Sequence, residues 1–415
     1  MISTLVAASL MQSADLASHL RPIQVESKSD SDLEPLLKAI GKARVVQLGE
    51  LTHGDGTSFR IKSRVMKFLH QRAGFDVLIW ESGFVECSQL DERLKGNEPI
   101  AYAASSAVFP HWSQSRESIG IFEFARETHK TSKPLQMAGF DIQFSSSTSG
   151  DQYLNLIDQV CRLTNSTSLK NRLNQLQKLP PGDSRDQAIL EAAEATRGAF
   201  TKHPSTKNQR ELRQKVNSFS AYDEMMKSFR RFQKTQTGEE FQIGYNLRER
   251  ANFENLMWLI YTKFKGRKVV VWAHNSHVSN WGADGQYHEP AKGEVVLDST
   301  GRHLKAKLGK ELYTVGFVAK GGKWSWLGQP AVSFASPPIG SIEDDLALSN
   351  HDHGFIDLVS LPKSLKSQLT ARPGFINRQS PETTNANWTK AFDGLFFIRE
   401  MAPRTDLRKT PQVQK

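Results

Sequence analysis

VVQLGELTHGDG, residues 45–56, places a carboxylate and an imidazole directly after an apolar run. The run VVQL has the β-branched and aliphatic character of a buried strand. Glu50 and His53 follow it, and the glycine-rich stretch of residues 54–56 comes next. The turn therefore carries an acid and a base at the point where a buried strand ends, and the rest of the chain must explain why.

Five other short runs have the same strand-like character and are separated mostly by helical patterns. They are residues 76–81, 135–141, 267–274, 312–319 and 394–400. The amphipathic pattern of residues 60–75 joins the first two strands within the length of a βαβ unit. Continuous apolar strands separated by helices indicate a parallel sheet covered on both faces. We therefore predict an α/β fold with a mostly parallel sheet flanked by helices.

The predicted core is interrupted by a helical insertion. Residues 22–149 and 241–400 carry the strand patterns, whereas residues 150–240 carry helical patterns only and are expected to pack over one end of the sheet. Residues 1–21 and 401–415 are predicted terminal extensions. Within these parts, residues 322–378 look like long loops because they are rich in Pro, Gly, Ser and Asp, and residues 404–415 are expected to be disordered.

Composition and charge limit the classes of protein to consider. The formal net charge of +10 is compatible with an anionic partner, but the positive residues form no aromatic-interleaved stripe of the kind that binds single strands. Cys87 and Cys161 give neither a disulfide framework nor a zinc spacing. No apolar run approaches the roughly 20 residues of a membrane span. We predict a cytoplasmic protein that binds neither nucleic acid nor membranes, and its oligomeric state stays undetermined.

Four of the predicted strands end in ionisable residues. These residues are, in strand order, Glu50 and His53, then Glu81, then Asp141, then His274 and His277. The carboxyl ends of parallel strands lie at one edge of a sheet, where α/β proteins bind their ligands. We therefore expect these side chains to converge on one cleft, where burial beside one another would separate acid roles from base roles.

The sequence excludes two familiar chemistries and leaves two open. Serine hydrolysis through a nucleophile elbow requires G-x-S-x-G, a phosphate loop requires G-x-x-x-x-G-K-[ST], and neither pattern occurs. The carboxylates and imidazoles of the cluster are potential zinc or iron ligands. Without a metal, a histidine polarised by a carboxylate can take a proton from water while a second histidine stabilises the developing oxyanion.

Seven segments resemble the erythromycin esterase family in their order along the chain. They are LGELTHGDGTSFRIKSRVMKFL, VLIWESGF, AGFDIQ, LRERANFENLMWLI, KVVVWAHNSHVSN and the later residues 299–317 and 391–400. The resemblance covers residues 22–400 and implies a mostly parallel sheet with a helical lid, here residues 150–240, bordering an active-site cleft. It also implies a metal-independent hydrolase without a cofactor that opens macrolide lactones.

The resemblance implies a role for each residue of the cluster. His53 is the histidine of the GExTHG motif and the implied general base that activates water, and Glu50 of the same motif positions the base or the water. Glu81, from WESGF, is a second essential carboxylate. His274 and His277, from WAHNxHV, are implied in oxyanion stabilisation and in protonation of the leaving group.

Three further residues are predicted to bind the substrate. Lys62 corresponds to a basic cleft residue that is arginine in some members, so it keeps the charge but lacks the bidentate fork. Arg248, with Glu249 beside it, corresponds to an arginine–acid pair of the family, and Asp141 is the third substrate-binding residue.

The predicted function is metal-independent hydrolysis of a small-molecule ester or lactone, with macrolide inactivation as its suggested purpose. Two alternatives are kept. The first is a metal-dependent hydrolase that uses the same glutamate and histidine cluster. The second is a non-catalytic protein that binds an anionic polymer, which the net charge of +10 alone supports.

Overall fold

The centre of the protein is a sheet of mostly parallel strands. A computed structural model describes residues 15–27, 29–203, 206, 209–280, 296–377 and 384–407. Within them the strands are β1 (Arg21–Pro22), β2 (Val45–Leu48), β3 (Phe75–Gly83), β4 (Gln136–Asp141), β5 (Lys268–Trp272), β6 (Leu312–Trp324), β7 (Val332–Ser333), β8 (His353–Asp357), β9 (Arg372–Gly374), β10 (Thr384–Ala386) and β11 (Gly394–Met401).

Eight strands of the sheet form a continuous path in the order β1-β8-β11-β6-β2-β5-β3-β4, and β7 pairs with β6. The six neighbours from β11 to β4 are all parallel. At the other edge, β8 is antiparallel to β11, and β1 is antiparallel to β8. The strands β9 and β10 form a separate two-stranded antiparallel sheet. The six parallel strands are the six that the sequence predicts, so the predicted mostly parallel α/β fold is confirmed.

Helices cover the sheet and fill the connections. They are α1 (Glu34–Ile40), α2 (Gly56–Ala73), α3 (Leu90–Lys95), α4 (Ile100–Ser105), α5 (Pro110–Ser113), α6 (Arg116–Thr128), α7 (Ser149–Thr164), α8 (Thr167–Leu176), α9 (Asp183–Leu190), α10 (Ala193–Thr201), α11 (Arg210–Thr235), α12 (Gly238–Trp258), α13 (Asn275–Val278), α14 (Thr300–Leu308), α15 (Ile342–Ala347), α16 (Lys363–Gln368) and α17 (Trp388–Ala391). Among the described helices, none combines the length and the apolar character that crossing a bilayer requires.

Successive residues of the central strands belong to two different apolar layers. In β5, Val270 and Trp272 join one core cluster, whereas Val269 and Val271 join the other. This alternation follows from the two-residue period of a strand, and it explains why the strands read as unbroken apolar runs. Both layers exclude water from the middle of the sheet, so charged groups are placed at the strand ends.

The described residues between β4 and β5 contain helices and no strand. Helices α7 to α11 enclose a separate apolar cluster that includes Tyr153, Ile157, Leu173 and Phe219. Helix α11 packs along α12, and α12 packs against β4. The helical lid is therefore anchored to the edge of the sheet through α12. The predicted domain boundaries at residues 149 and 240 stay a prediction.

Two predictions of irregular structure are wrong. The predicted long loops of residues 322–378 contain the strands β7, β8 and β9 and the helices α15 and α16. The strand β8, HGFID, is too short and too polar to be recognised, yet it is stabilised as the antiparallel neighbour of β11. The predicted disorder of residues 404–415 is contradicted for residues 404–407, because Arg404 is buried, with 4% exposure, and the N–H of Leu407 donates to the carbonyl of Gln114. Residues 408–415 lie outside the described residues.

Close packing rather than backbone conformation requires the glycines at the end of β2. Gly49, Gly54 and Gly56 have no positive φ. A Cβ atom on Gly49 would lie 2.1 Å from Asn275 Oδ1, and one on Gly54 would lie 2.6 Å from the carbonyl oxygen of Ser325. The turn that follows β2 therefore sits against other backbone segments, which fixes the position of the side chains on it.

Gly49→Ala is expected to destabilise the protein by about 2 kcal/mol, because the added methyl group cannot fit into this packed site. Asn275 cannot turn away, since its side chain bonds both the N–H and the C=O of Phe317. The control is Gly198→Ala in α10, where a Cβ atom meets nothing within 4 Å. Urea unfolding followed by tryptophan fluorescence measures both variants, and equal unfolding midpoints for the two would contradict this account.

Candidate active site

The four predicted strand ends meet in one cleft. The strands β2, β5, β3 and β4 are consecutive neighbours, so their carboxyl ends lie side by side. They border a cavity of about 430 Å³. Its lining residues are His53, Glu81, Phe109, Trp112, Asp141, Gln143, Phe144, Ser145, Phe241, Tyr245, Arg248, His274, Ser276, His277, Leu297, Trp326 and Asn377. The convergence that the sequence predicts is therefore present at the crevice where open α/β sheets bind ligands.

Glu50 is a fully buried carboxylate that accepts hydrogen bonds from four side chains. His53 Nδ1 lies 2.7 Å and Trp112 Nε1 lies 3.0 Å from its Oε1. Lys62 Nζ lies 2.6 Å and Trp272 Nε1 lies 3.1 Å from its Oε2. A buried carboxylate is stable only when its oxygens are paired in this way. Four separate elements hold the orientation of Glu50.

His53 has a defined tautomer because the Glu50 carboxylate beside it can only accept a hydrogen bond. Nδ1 bonds the Glu50 carboxylate, so Nδ1 carries the hydrogen and Nε2 has the free lone pair. The Nε2 atom faces the cleft and lies 3.8 Å from Glu81 Oε1, a separation that is too long for a direct hydrogen bond. The rings of Phe109, Trp112 and Trp326 surround the imidazole edge-on. With Nδ1 bonded to Glu50, the lone pair of Nε2 is presented to the cleft, which is the arrangement that a general base requires.

Lys62 does not face the cleft, so the prediction that it binds substrate is not supported by its position. It comes from α2, has no exposed side-chain surface, and donates to Glu50 and to the backbone carbonyl of Ala273. Burial lowers the pKa of Lys62 to about 8 against the opposing attraction of Glu50. The ammonium group also lies 4.4 Å from the centroid of the Trp272 ring. Lys62 therefore acts through Glu50.

Glu81 is the second buried carboxylate of the cleft. It lies where the register between β3 and β4 shifts, which aims its side chain along the sheet edge. Its Oε1 is 3.1 Å from His277 Nε2 and 3.2 Å from Arg248 Nη2, and its Oε2 accepts the backbone N–H of His274. Burial by itself would raise the pKa of Glu81, but the charges of His277, His53 and Arg248 lower it well below its ordinary value. Glu81 therefore stays ionised.

His277 is held as a cation by two carboxylates. Its Nδ1 lies 2.6 Å from Glu249 Oε1 and its Nε2 lies 3.1 Å from Glu81 Oε1. Burial opposes the charge, but Glu249 and Glu81 raise the pKa of His277 to about 10. Glu249 is in turn fixed by the N–H and the hydroxyl of Thr300. Both ring nitrogens of His277 therefore donate, and the ring brings positive charge to the cleft.

His274 is neutral, and both of its ring nitrogens are engaged by the protein. Nε2 donates to the carbonyl of Leu51, and Nδ1 lies within hydrogen-bond distance of the N–H and the hydroxyl of Ser276. Burial, followed by the charges of His53 and His277, lowers its pKa to about 3. The predicted role in oxyanion stabilisation therefore does not fit His274. Its position fits a structural role, because it caps α13 and joins β5 to the Glu50 turn.

Arg248, from α12, links Asp141 at the end of β4 to Glu81 in β3. Its Nε and Nη2 bond the two oxygens of Asp141, and Nη2 also reaches Glu81. The third nitrogen, Nη1, lies 3.3 Å from His277 Nε2, a ring that cannot accept a hydrogen bond while it is protonated. Asp141, Arg248 and the cationic His277 all border the cavity, and both carboxylate oxygens of Asp141 accept from Arg248. Asp141 positions Arg248 more directly than it meets a substrate.

The donors of this cluster do not fit a divalent metal ion. In the part of the chain that the structure describes, no group of three or more His, Cys, Asp or Glu side chains is arranged to hold one. Both ring nitrogens of His274 and of His277 already bond protein groups, and Glu50 is neutralised by Lys62. Among the described residues, the structure therefore shows no preformed ligand set for the metal-dependent alternative, which stays a prediction.

The sequence did not indicate the aromatic walls of the cleft. Trp326 lines the cavity, whereas Trp324 packs behind it. Tyr245 stacks on the ring of His277, and Trp112 contacts His53. Their signal was weak because an isolated aromatic residue in a loop or on a helix has the same sequence pattern whether it lines a cleft or packs in the core.

Comparisons with known proteins show the family and the fold of the chain. Residues 70–401 match the family model described as Erythromycin esterase. The chain is 25% identical over 365 residues to the putative hydrolase YbfO of Bacillus subtilis (strain 168), covering 82% of this chain and 80% of that protein. It is 21% identical over 421 residues to erythromycin esterase type II of Escherichia coli, covering 91% and 95%. An erythromycin esterase mutant, EreC, solved in its open conformation, has a similar fold with a TM-score of 0.68 at 14% identity, covering 94% of this chain and 100% of that one.

His277 is expected to stay protonated through neutral pH, with a pKa of about 10. Because the folded pKa is raised, His277 contributes stability that is fully present below its unfolded pKa near 6.5 and is lost as the pH rises through about 10. Glu249→Gln removes one of the two charges and should lower the pKa of His277. Nitrogen-15 NMR of the ring measures both proteins, and a wild-type ring that titrates near its ordinary value would refute this assignment.

Proposed function

The chain belongs to the erythromycin esterase family, and from that premise we propose that it hydrolyses an ester or lactone with water activated by His53. The observation that carries the proposal is the bond between His53 Nδ1 and Glu50, which leaves Nε2 as a free base on the wall of the cleft. The names of two relatives, a putative hydrolase and an esterase, support hydrolysis as the class of reaction. The small-molecule substrate is an expectation of the same proposal.

The first step is attack of a water molecule held between His53 and Glu81. These two acceptors, His53 Nε2 and Glu81 Oε1, are 3.8 Å apart, a distance at which one water can donate to both. The water oxygen forms a bond to the carbonyl carbon, and one of its protons moves to Nε2. The imidazolium that results lies between the carboxylates of Glu50 and Glu81, which stabilise its charge.

The oxyanion of the tetrahedral intermediate requires positive charge on the opposite side. Two cations, His277 and Arg248, border the cavity. The Nη1 atom of Arg248 lies beside the His277 ring and bonds no carboxylate among the described contacts. We assign the hydrogen bond to the oxyanion to Arg248 Nη1. His277, whose ring nitrogens both face carboxylates, contributes its positive charge, and His274 has neither role. When the intermediate collapses, the ester C–O bond breaks and the departing alkoxide takes the proton from the His53 imidazolium. The products are an alcohol and a carboxylic acid.

The cleft favours a substrate with apolar faces. Its volume of about 430 Å³ is of the size that small-molecule sites have, and Phe109, Trp112, Tyr245 and Trp326 line it. Macrolide lactones are the first substrates to test, since one relative is an erythromycin esterase. Independence from metals is part of the proposal. Binding of an anionic polymer stays an alternative and cytoplasmic location stays a prediction, because no described contact bears on either.

His53→Ala is expected to lower the rate of ester hydrolysis by about a hundredfold or more, because it removes the base while the cleft stays formed. Mass spectrometry of a macrolide panel detects the gain of one water, and p-nitrophenyl esters give a rate. The control is His351→Ala, which changes a histidine just before β8, outside the residues that line the cleft. Hydrolysis at the wild-type rate by His53→Ala would refute the mechanism.

Chelation is expected to leave the rate of hydrolysis unchanged, since the side chains that would bind a metal bond one another instead. The measurement is the rate for one p-nitrophenyl ester before and after dialysis against EDTA, together with elemental analysis of the protein. A stoichiometric metal whose removal abolishes activity, with recovery on its return, would overturn the proposed independence from metals.

A further inference from the structure

Residues 402–407, which we name the C-terminal strap, lie against the back of the active site. They follow β11 directly, and the match to the family model ends at residue 401. The sequence assigns them to a terminal extension. In the structure the strap bonds three segments that each carry a residue of the cleft.

The first segment is the turn that carries His53. The N–H of Arg404 donates to the carbonyl of Gly54 at 2.9 Å, and the N–H of Gly56 donates to the carbonyl of Ala402 at 2.9 Å. The N–H of Ala402 also donates to the hydroxyl of Thr57. The strap thus runs antiparallel to the turn and fixes the backbone directly after His53.

The second segment is the short helix α5, which carries Trp112. The Arg404 side chain is buried, and its Nε donates to the carbonyl of His111 at 3.0 Å while its Nη2 donates to the carbonyl of Gln114 at 2.8 Å. These two carbonyls flank Trp112, whose Nε1 donates to Glu50. The carbonyls at either end of this turn are bound by a single guanidinium group, which a planar fork of donors can do and a lysine cannot.

The third segment carries Trp326. The hydroxyl of Ser325 donates to the carbonyl of Arg404 at 3.0 Å, and the N–H of Gly328 donates to Asp406 at 3.2 Å. Ser325 also donates its N–H to the carbonyl of Gly54. Trp326, between these bonds, forms a wall of the cleft beside His53. The strap therefore connects three walls that belong to distant parts of the chain.

We infer that the C-terminal strap positions the catalytic base, and that Arg404 is its positioning residue. The strap acts along two routes. Its backbone N–H at residue 404 holds Gly54 beside His53, and the Arg404 side chain holds α5 with Trp112 and thereby Glu50, which orients His53. Arg404 touches none of the reacting atoms. The part of this inference that concerns a base rests on the proposed function, whereas the effect on Trp112 does not.

The test compares two indole N–H groups that bond the same carboxylate. Trp112 reaches Glu50 from α5, which the strap holds, whereas Trp272 reaches it from β5 inside the sheet. In Arg404→Ala the hydrogen exchange of the Trp112 indole, measured by nitrogen-15 NMR, is expected to speed up about tenfold or more, as a loosened local hydrogen bond would. The exchange of the Trp272 indole should not change.

Matched variants separate positioning from loss of fold. Deleting residues 408–415 leaves every strap bond named above in place and should change neither indole. Arg404→Lys keeps the charge but can reach only one of the two carbonyls, so its effect should be intermediate, and it serves as the test where Arg404→Ala does not fold. Millimolar guanidinium should restore the Trp112 signal in Arg404→Ala by refilling the site.

The second arm measures hydrolysis of a p-nitrophenyl ester. Arg404→Ala is expected to lower kcat by about tenfold to a hundredfold with a smaller change in KM, because a misplaced base slows chemistry more than binding. Guanidinium should restore kcat. Equal changes at Trp112 and Trp272, or no change at either, would overturn the inference. If the wild type hydrolyses no ester, the proposed function fails, but the indole result still decides the role of the strap.

Discussion

The buried carboxylate of Glu50 is the constraint on which the rest of the site depends. A charge at this depth would be unstable without partners, and each of its partners comes from a different element. His53 comes from the turn after β2, Lys62 from α2, Trp112 from α5 and Trp272 from β5. Because all four partners bond the Glu50 carboxylate, these bonds fix the positions of four separate elements around it. The same bonds fix the tautomer of His53, so the structural requirement and the proposed chemistry share one set of contacts.

Negative and positive side chains alternate from Glu50 across the carboxyl ends of the strands. Lys62 neutralises Glu50 on the side of the core, and Arg248 with His277 neutralises Glu81 on the side of the cleft. His53 lies between the two carboxylates. His274 and His277 show how environment decides function, because their rings are 6.3 Å apart and yet one is neutral and the other is a cation. The difference follows from a carbonyl and a serine beside one ring and two glutamates beside the other.

The sequence predicted the parts of the site that local patterns determine. Parallel strands put their carboxyl ends at one edge, so Glu50, Glu81, Asp141 and His274 were expected together once the strands were recognised. The sequence did not reveal contacts between segments that are far apart along the chain. Trp112 and Arg404 bond groups that are brought near only by the fold, and no pattern around either residue signals this. Lys62 was assigned to the substrate because it corresponds to a basic cleft residue of the family, and the sequence does not show in which direction its side chain points.

The central claim is that Glu50 holds His53 with its proton on Nδ1, which leaves Nε2 free to activate water. Nitrogen-15 NMR of the His53 ring distinguishes the two tautomers directly. The account predicts the Nδ1–H form in the wild type and a mixture of both forms in Glu50→Gln, since an amide can bond either state of the ring. A wild-type ring with its proton on Nε2, or the same tautomer populations in the wild type and in Glu50→Gln, would contradict it.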